Sequence, residues 1–197
     1  MSEAELKDIV AGEKSQSILE SALQAFSAYG FRKTSMDDIA KGAGMSRPAV
    51  YQYFPNKETI LRKLTQRYYD RKIAAVAEAL TAGGAVQQII SGAIEAQTDG
   101  MAEILATPHG LELLDVSVST AADLVTEGEA QLVALYANWL GLEAENGRVH
   151  LFDEPSETAK MITSALRGIK VSAADSQEFT RSNANLASLL GTALAIT

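Results

Sequence analysis

Residues 41–54 read KGAGMSRPAVYQYF. The stretch is too polar for a buried helix and too aromatic for an ordinary solvated one. Gly42–Ala43–Gly44 stops any helix that precedes it, because glycine enters the left-handed backbone that ends a helix at no steric cost. Ser46 then offers a side-chain oxygen to the next helix start. Pro48 falls in that helix's first turn, where a missing N–H loses no bond. Val50 and Phe54 lie four apart and face inward, joining Ile39, Ala40, Phe26 and Leu23 in a small core. Arg47, Pro48, Ala49 and Gln52 are left facing out, with Tyr51 and Tyr53 on the flanks. Two short helices joined by a glycine turn predict a helix-turn-helix. On such a face Arg reads guanine bidentately, Gln reads adenine, and the Ala49 methyl meets a thymine methyl. The tyrosine hydroxyls, Ser46, Thr34 and Lys57 suit phosphate oxygens, helped by the free N–H groups at helix starts. The plainer alternative is a helical hairpin whose turn happens to be glycine-rich.

Charge separates the two readings. The 197 residues carry a formal net charge of −8, yet residues 30–72 hold ten Lys/Arg against four Asp/Glu, a net +6. Residues 76–197 hold five against sixteen, a net −11. A basic patch beside an acidic body fits one end that meets a polyanion.

The flanks extend the pattern. Ile18, Leu19, Ala22, Leu23, Phe26 and Tyr29 form one apolar stripe at helical spacing, and Gly30 ends it, with Phe31 packing back on Phe26. Ser35 caps the next short helix with Asp38 as capping-box partner. Asn56 caps a fourth helix, with Glu58 at its positive end, that runs to about Leu80. The segment 34–61, TSMDDIAKGAGMSRPAVYQYFPNKETIL, resembles the DNA-binding segment of TetR-type transcriptional regulators, and the likeness covers about residues 13–62. The shared register runs from a Thr/Ser start through "IA", the glycine turn, the serine cap and the "Y.YF" aromatics to "KE", after a helix carrying Ala22, Phe26 and Gly30. The resemblance implies that Arg47, Pro48, Ala49, Tyr51 and Tyr53 face DNA, and that Thr34, Ser35 and Lys57 meet phosphates. It also implies a bacterial, cytoplasmic repressor or activator that binds a palindromic operator in double-stranded DNA as a homodimer.

Beyond residue 80 the periodicity stays helical, with segments expected at about 86–106, 110–126, 128–145, 156–174 and 177–195. The expected fold is all-α with about nine helices: a three-helix head over 1–57, a connecting helix over 58–80, and a bundle over 81–197. The opening MSEAELKDIVAGEK is acidic and lacks an apolar core, so it does not read as a signal peptide, and no apolar run is long enough to span a bilayer; no membrane partner is expected. The chain has no cysteine, which excludes disulfides and thiolate chemistry.

Dimerisation needs an apolar face that one chain leaves open. Met161, Ile162, Ala165, Leu166 and Ile169 form one candidate stripe; Leu186, Leu189, Leu190, Ala193 and Leu194 form another. Both stripes packing inside one chain is an equal alternative by residue counting, and only the resemblance favours the dimer. Gln97 interrupts an apolar stripe that includes Met101 and Leu105, so these three, with Tyr136 and Trp139, are the candidates for a small-molecule pocket. Only four aromatics occur in 76–197, which argues for an aliphatic or amphipathic effector rather than a flat cation. His109 and His150 have no ligand partner at helical spacing, and AGG at 82–84 lacks the lysine and serine of a phosphate loop. No metal, cofactor or catalytic centre is therefore expected. An architectural or ligand-independent DNA-binding protein with a packed bundle is the second reading.

Overall fold

The computed structural model describes residues 3–196, with side chains from residue 12 onward. The outermost residues of the expected domain ranges, 1–2 and 197, lie outside these. Among the described residues the chain forms ten helices: α1 (Glu3–Tyr29), α2 (Met36–Gly42), α3 (Arg47–Tyr51), α4 (Lys57–Leu80), α5 (Val86–Thr98), α6 (Met101–Leu105), α7 (Gly110–Thr120), α8 (Ala122–Glu145), α9 (Pro155–Ser172) and α10 (Ser176–Leu194). The one sheet-like pairing among them is an isolated antiparallel bridge between Val149 and Ala195. The all-α expectation holds, with ten helices in place of about nine. No described helix is long and apolar enough to cross a membrane.

Two helix boundaries differ from the expected ones. The segment expected as one helix over 86–106 breaks where Asp99 turns extended and Gly100 takes φ +69. Lys72 on α4 explains how the break is tolerated, since its ammonium donates to the carbonyls of Ala96 (3.2 Å) and Asp99 at the end of α5. The break expected between 126 and 128 falls instead at Ala121, and Gly128 lies inside α8. A Cβ there would sit 2.2 Å from the Tyr69 ring, so the glycine lets that ring lie against the α8 backbone.

The chain gathers into two compact units, residues 1–67 with 107–122 and residues 68–106 with 123–197, and the boundary falls within α4. The first unit packs α1, α2, α3, the start of α4 and α7 around Ile18, Phe26, Ile39, Val50 and Ile60, all 0% exposed, and Leu113 of α7 joins them. Phe31 does pack back on Phe26, with ring centroids 5.0 Å apart. Tyr29, read as part of the buried stripe, is 64% exposed, because Gly30 ends α1 one residue later and turns the chain inward at Phe31 instead. The second unit is built on Val76, Ile90, Ile94, Tyr136, Leu140 and Ile162, with α10 laid along α5. Each such side chain contributes about 1.5–3 kcal/mol by leaving water.

Candidate nucleic-acid interface and bundle cleft

Short-range chemistry positions the first site. Ser35 accepts from the Asp38 N–H (3.2 Å) while its own N–H donates to Asp38 (2.9 Å), which closes the capping box that starts α2. The Ser35 hydroxyl, and then its N–H, hold the Asp38 carboxyl below its usual range. Gly44 takes φ +64 in the turn, and Met45 donates to the Ala40 carbonyl (2.9 Å), fixing where α3 begins. Ser46 accepts from the Ala49 N–H (3.4 Å), and Pro48 lies in the first turn. Val50 and Phe54 pin α3 to the core, which leaves Ser46, Arg47, Pro48, Tyr51 and Gln52 exposed and Ala49 and Tyr53 half-buried.

Arg47 is held in place before any ligand arrives. It donates to Asp37 of α2 (3.0 Å) and to the Tyr51 hydroxyl (3.3 Å), and stacks 5.5 Å from that ring. Tyr51 first, and Asp37 second, raise the guanidinium further above its ordinary range. Asp37 was not singled out in the sequence; its spacing of ten residues from Arg47 crosses the turn and carries no local signal.

Two expected phosphate contacts take other roles. Thr34 is 3% exposed, and its single hydroxyl proton is shared between the carbonyls of Gly30 (2.8 Å) and Ala25 (3.2 Å). Lys57 donates to the carbonyls of Phe31 (2.7 Å), Arg32 (3.1 Å) and Thr34 (3.0 Å), with its ammonium 4.7 Å from the Phe31 ring centre. Three protons meet three acceptors, so both residues fasten the 31–34 loop from within.

The second unit contains a cleft of about 50 Å³. Met101, Leu132, Leu166 and Phe179 give its apolar walls, and Tyr68, Tyr69, Gln97, Glu129, Arg167 and Lys170 its polar ones. The Gln97 Oε1 is buried without a donor among the described residues. Burial pushes the Tyr68 phenol up to about 12 and raises that of Tyr69 as well, while it lowers Lys170. Of the five residues expected to line a pocket, Gln97 and Met101 do so. Leu105 lies beyond the Gly100 break and away from the cleft, while Tyr136 and Trp139 point into the apolar core. The Tyr136 hydroxyl has no partner among the described residues, and burial raises its phenol. Tyr68, Glu129 and Lys170 were missed because three separate helices bring them together.

The two stripes read as dimer candidates divide. Ile162, Leu166 and Leu194 are buried in their own chain, and Leu166 faces the cleft. Met161 (59%) and Leu189 (69%) are exposed with Ala193, while Ala165, Ile169, Leu186 and Leu190 are half-buried. A groove of about 450 Å³ runs between Phe152, Met161, Leu190 and Ala193.

Residues 18–64 match the family model described as bacterial regulatory proteins, tetR family. Over 71 residues the chain is 38% identical to the HTH-type transcriptional regulator YuxN of Bacillus subtilis. That match covers 36% of this chain and 24% of YuxN, so it spans about a quarter of the relative's length. The reduced form of NemR from E. coli superposes with a TM-score of 0.75 over 93% of this chain and 99% of its own, at 19% identity. SmeT, the repressor of the Stenotrophomonas maltophilia multidrug efflux pump SmeDEF, superposes in its triclosan complex with a TM-score of 0.71, over 93% and 92%, at 17% identity. At those identities the likeness is one of fold. Residues 18–64 thus match the tetR family of bacterial regulatory proteins in their cap, turn and aromatic register, and the likeness to solved structures extends the fold over the rest of the chain.

Proposed function

We propose that the chain is a sequence-specific DNA-binding regulator of transcription, acting as a homodimer on a palindromic operator and released from it by a small molecule held in the second unit. The observation that carries this reading is the outer face of α3. Arg47, Pro48, Tyr51 and Gln52 are exposed on a helix whose inner residue, Val50, is fully buried. That face supplies base-reading groups on a rigid support inside a segment of net +6. A dimer sets two such helices about 34–36 Å apart, one DNA turn. The α4 helix continues from the first unit into the second, so an effector that favours one arrangement of the bundle would change that spacing through it. The triclosan complex of SmeT supports a small molecule as the effector class for this fold. Repression fits a regulator whose effector lowers operator affinity.

A second reading is favoured by one observation: the free volume of the cleft is only about 50 Å³. A bundle packed that tightly fits a regulator that holds DNA without sensing a ligand. Selection of bound sequences from a random duplex pool, with the mass of the complex taken at two salt concentrations, tests the primary reading. A palindromic consensus held by two or four chains, and roughly tenfold or more weaker binding of that consensus by Arg47→Ala, are expected. Binding without sequence preference, or unchanged binding by Arg47→Ala, overturns direct readout by α3.

A further inference from the structure

The cleft of the second unit holds polar groups that the fold itself leaves unused. Lys170 on α9 is half-buried at the wall, and its ammonium makes no hydrogen bond or ion pair among the described residues. Arg167, one turn earlier, is spent on Glu129 of α8 at 2.9 Å. On α5 the Gln97 Oε1 is shut off from solvent with no donor in reach. A packed core would be more stable with Leu at position 97, because an unpartnered polar group taken out of water is a net loss, while the Lys170 ammonium keeps contact with solvent at the cleft wall. Lys170, Arg167 and Glu129 together leave the cleft with one positive charge in surplus.

We propose that the effector is a small organic acid, with a compact apolar body, a carboxylate paired with the Lys170 ammonium, and a hydroxyl or N–H group that donates to the Gln97 Oε1. This rests on the sensor reading above and names its ligand class. A monoanion neutralises the surplus charge, whereas a phosphate dianion would leave an unpaired negative charge in the cleft. A cation would face Lys170, and the one carboxylate in the wall is already taken by Arg167. Met101, Leu132, Leu166 and Phe179 receive the apolar body. The phenols of Tyr68 and Tyr69 in the same wall, protonated at neutral pH, add donors for the second carboxylate oxygen. A free volume of about 50 Å³ is smaller than a compact organic acid needs, so the acid enters only as side chains give way. Met101, unbranched and flexible, is the wall most able to do so. Binding therefore selects an opened bundle over the closed one, which is the differential affinity a release mechanism needs.

The test is a ligand-observed NMR screen of small aromatic and short-chain acids, each beside its methyl ester and its amine counterpart, with 3-hydroxyphenylacetate as the leading probe. Acids are expected to bind about tenfold or more tightly than their esters, and amines not at all. Lys170→Met should bring acid and ester to equal affinity, and Lys170→Arg should restore the difference. Gln97→Leu should abolish the advantage of hydroxylated acids over plain ones. Removing a half-buried charge leaves Lys170→Met folded, and its thermal unfolding checks this. Tight binding of esters or amines in place of acids, or acid binding indifferent to Lys170→Met, overturns the organic-acid assignment and leaves the sensor reading standing. If no compound of any charge binds while the operator is still held, both fall and the ligand-independent reading takes their place.

Discussion

A lysine ammonium carries three protons, and Lys57 spends them on three carbonyls of the 31–34 loop. Thr34 closes the same loop from inside through its hydroxyl. The sequence shows donors of this kind without showing the acceptors they meet, which is why both residues read as phosphate contacts. Arg47 is different: its partners Asp37 and Tyr51 are exposed, so on the DNA-reading face proposed above its pairs are weak enough to be exchanged for a base edge. Lys57→Met separates the two kinds of role. It keeps the stem against the Phe31 ring and strands the carbonyls, at a cost of about 1–3 kcal/mol. The denaturation midpoint of the protein should fall with an unchanged m-value. Operator binding by the folded variant should keep its salt slope, because no phosphate neutraliser has been lost. A slope smaller by about one would return Lys57 to the DNA backbone.

Helix starts were more legible than helix interruptions. Ser35 with Asp38, Ser46 and Asn56 each cap the helix their spacing assigns to them, since a cap is a local bond between near neighbours. The boundary expected between 126 and 128 is absent because the sequence gives the identity of Gly128 and not the ring of Tyr69 pressed against it. The cleft divides in the same way. Gln97 and Met101 were found as an anomaly in one helical stripe, whereas Lys170 and Glu129 become neighbours only after α8 and α9 pack. Gly128→Ala weighs local preference against packing. Alanine in a helix interior gains about 0.8–1 kcal/mol over glycine. A methyl 2.2 Å from the Tyr69 ring forces that ring aside, at about 1–3 kcal/mol. The variant should therefore melt at a lower temperature, and Tyr69→Leu in the same chain should recover part of the loss. A higher melting temperature for Gly128→Ala alone would show that the ring yields freely and that the glycine is not there for packing.

On the proposed reading, the five residues of α3 reach only a few base pairs, so selectivity on a genome requires two such helices on one rigid frame. The acidic remainder of the chain can provide that frame only if two copies associate, and single exposed apolar residues are too common to argue for it. The case for α9 and α10 is their combination. Met161, Val171 (73% exposed) and Leu189 stand out from two neighbouring helices, small residues such as Gly168 and Ala193 lie between them, and the groove from Phe152 to Ala193 runs alongside. In a two-fold contact each copy presents the same patch, so one substitution acts twice. Leu189→Glu would place like charges on both sides of the apolar contact. Because Leu189 is 69% exposed within its own chain, the helical content and melting of the isolated chain should change little. Sedimentation equilibrium should show monomers where the parent forms dimers. Binding to the full palindrome should drop to the level of a half-site, with about half the salt slope because half the phosphate contacts remain. A Leu189→Glu protein that stays dimeric and holds the palindrome as tightly as the parent would move the interface off this face of α9 and α10.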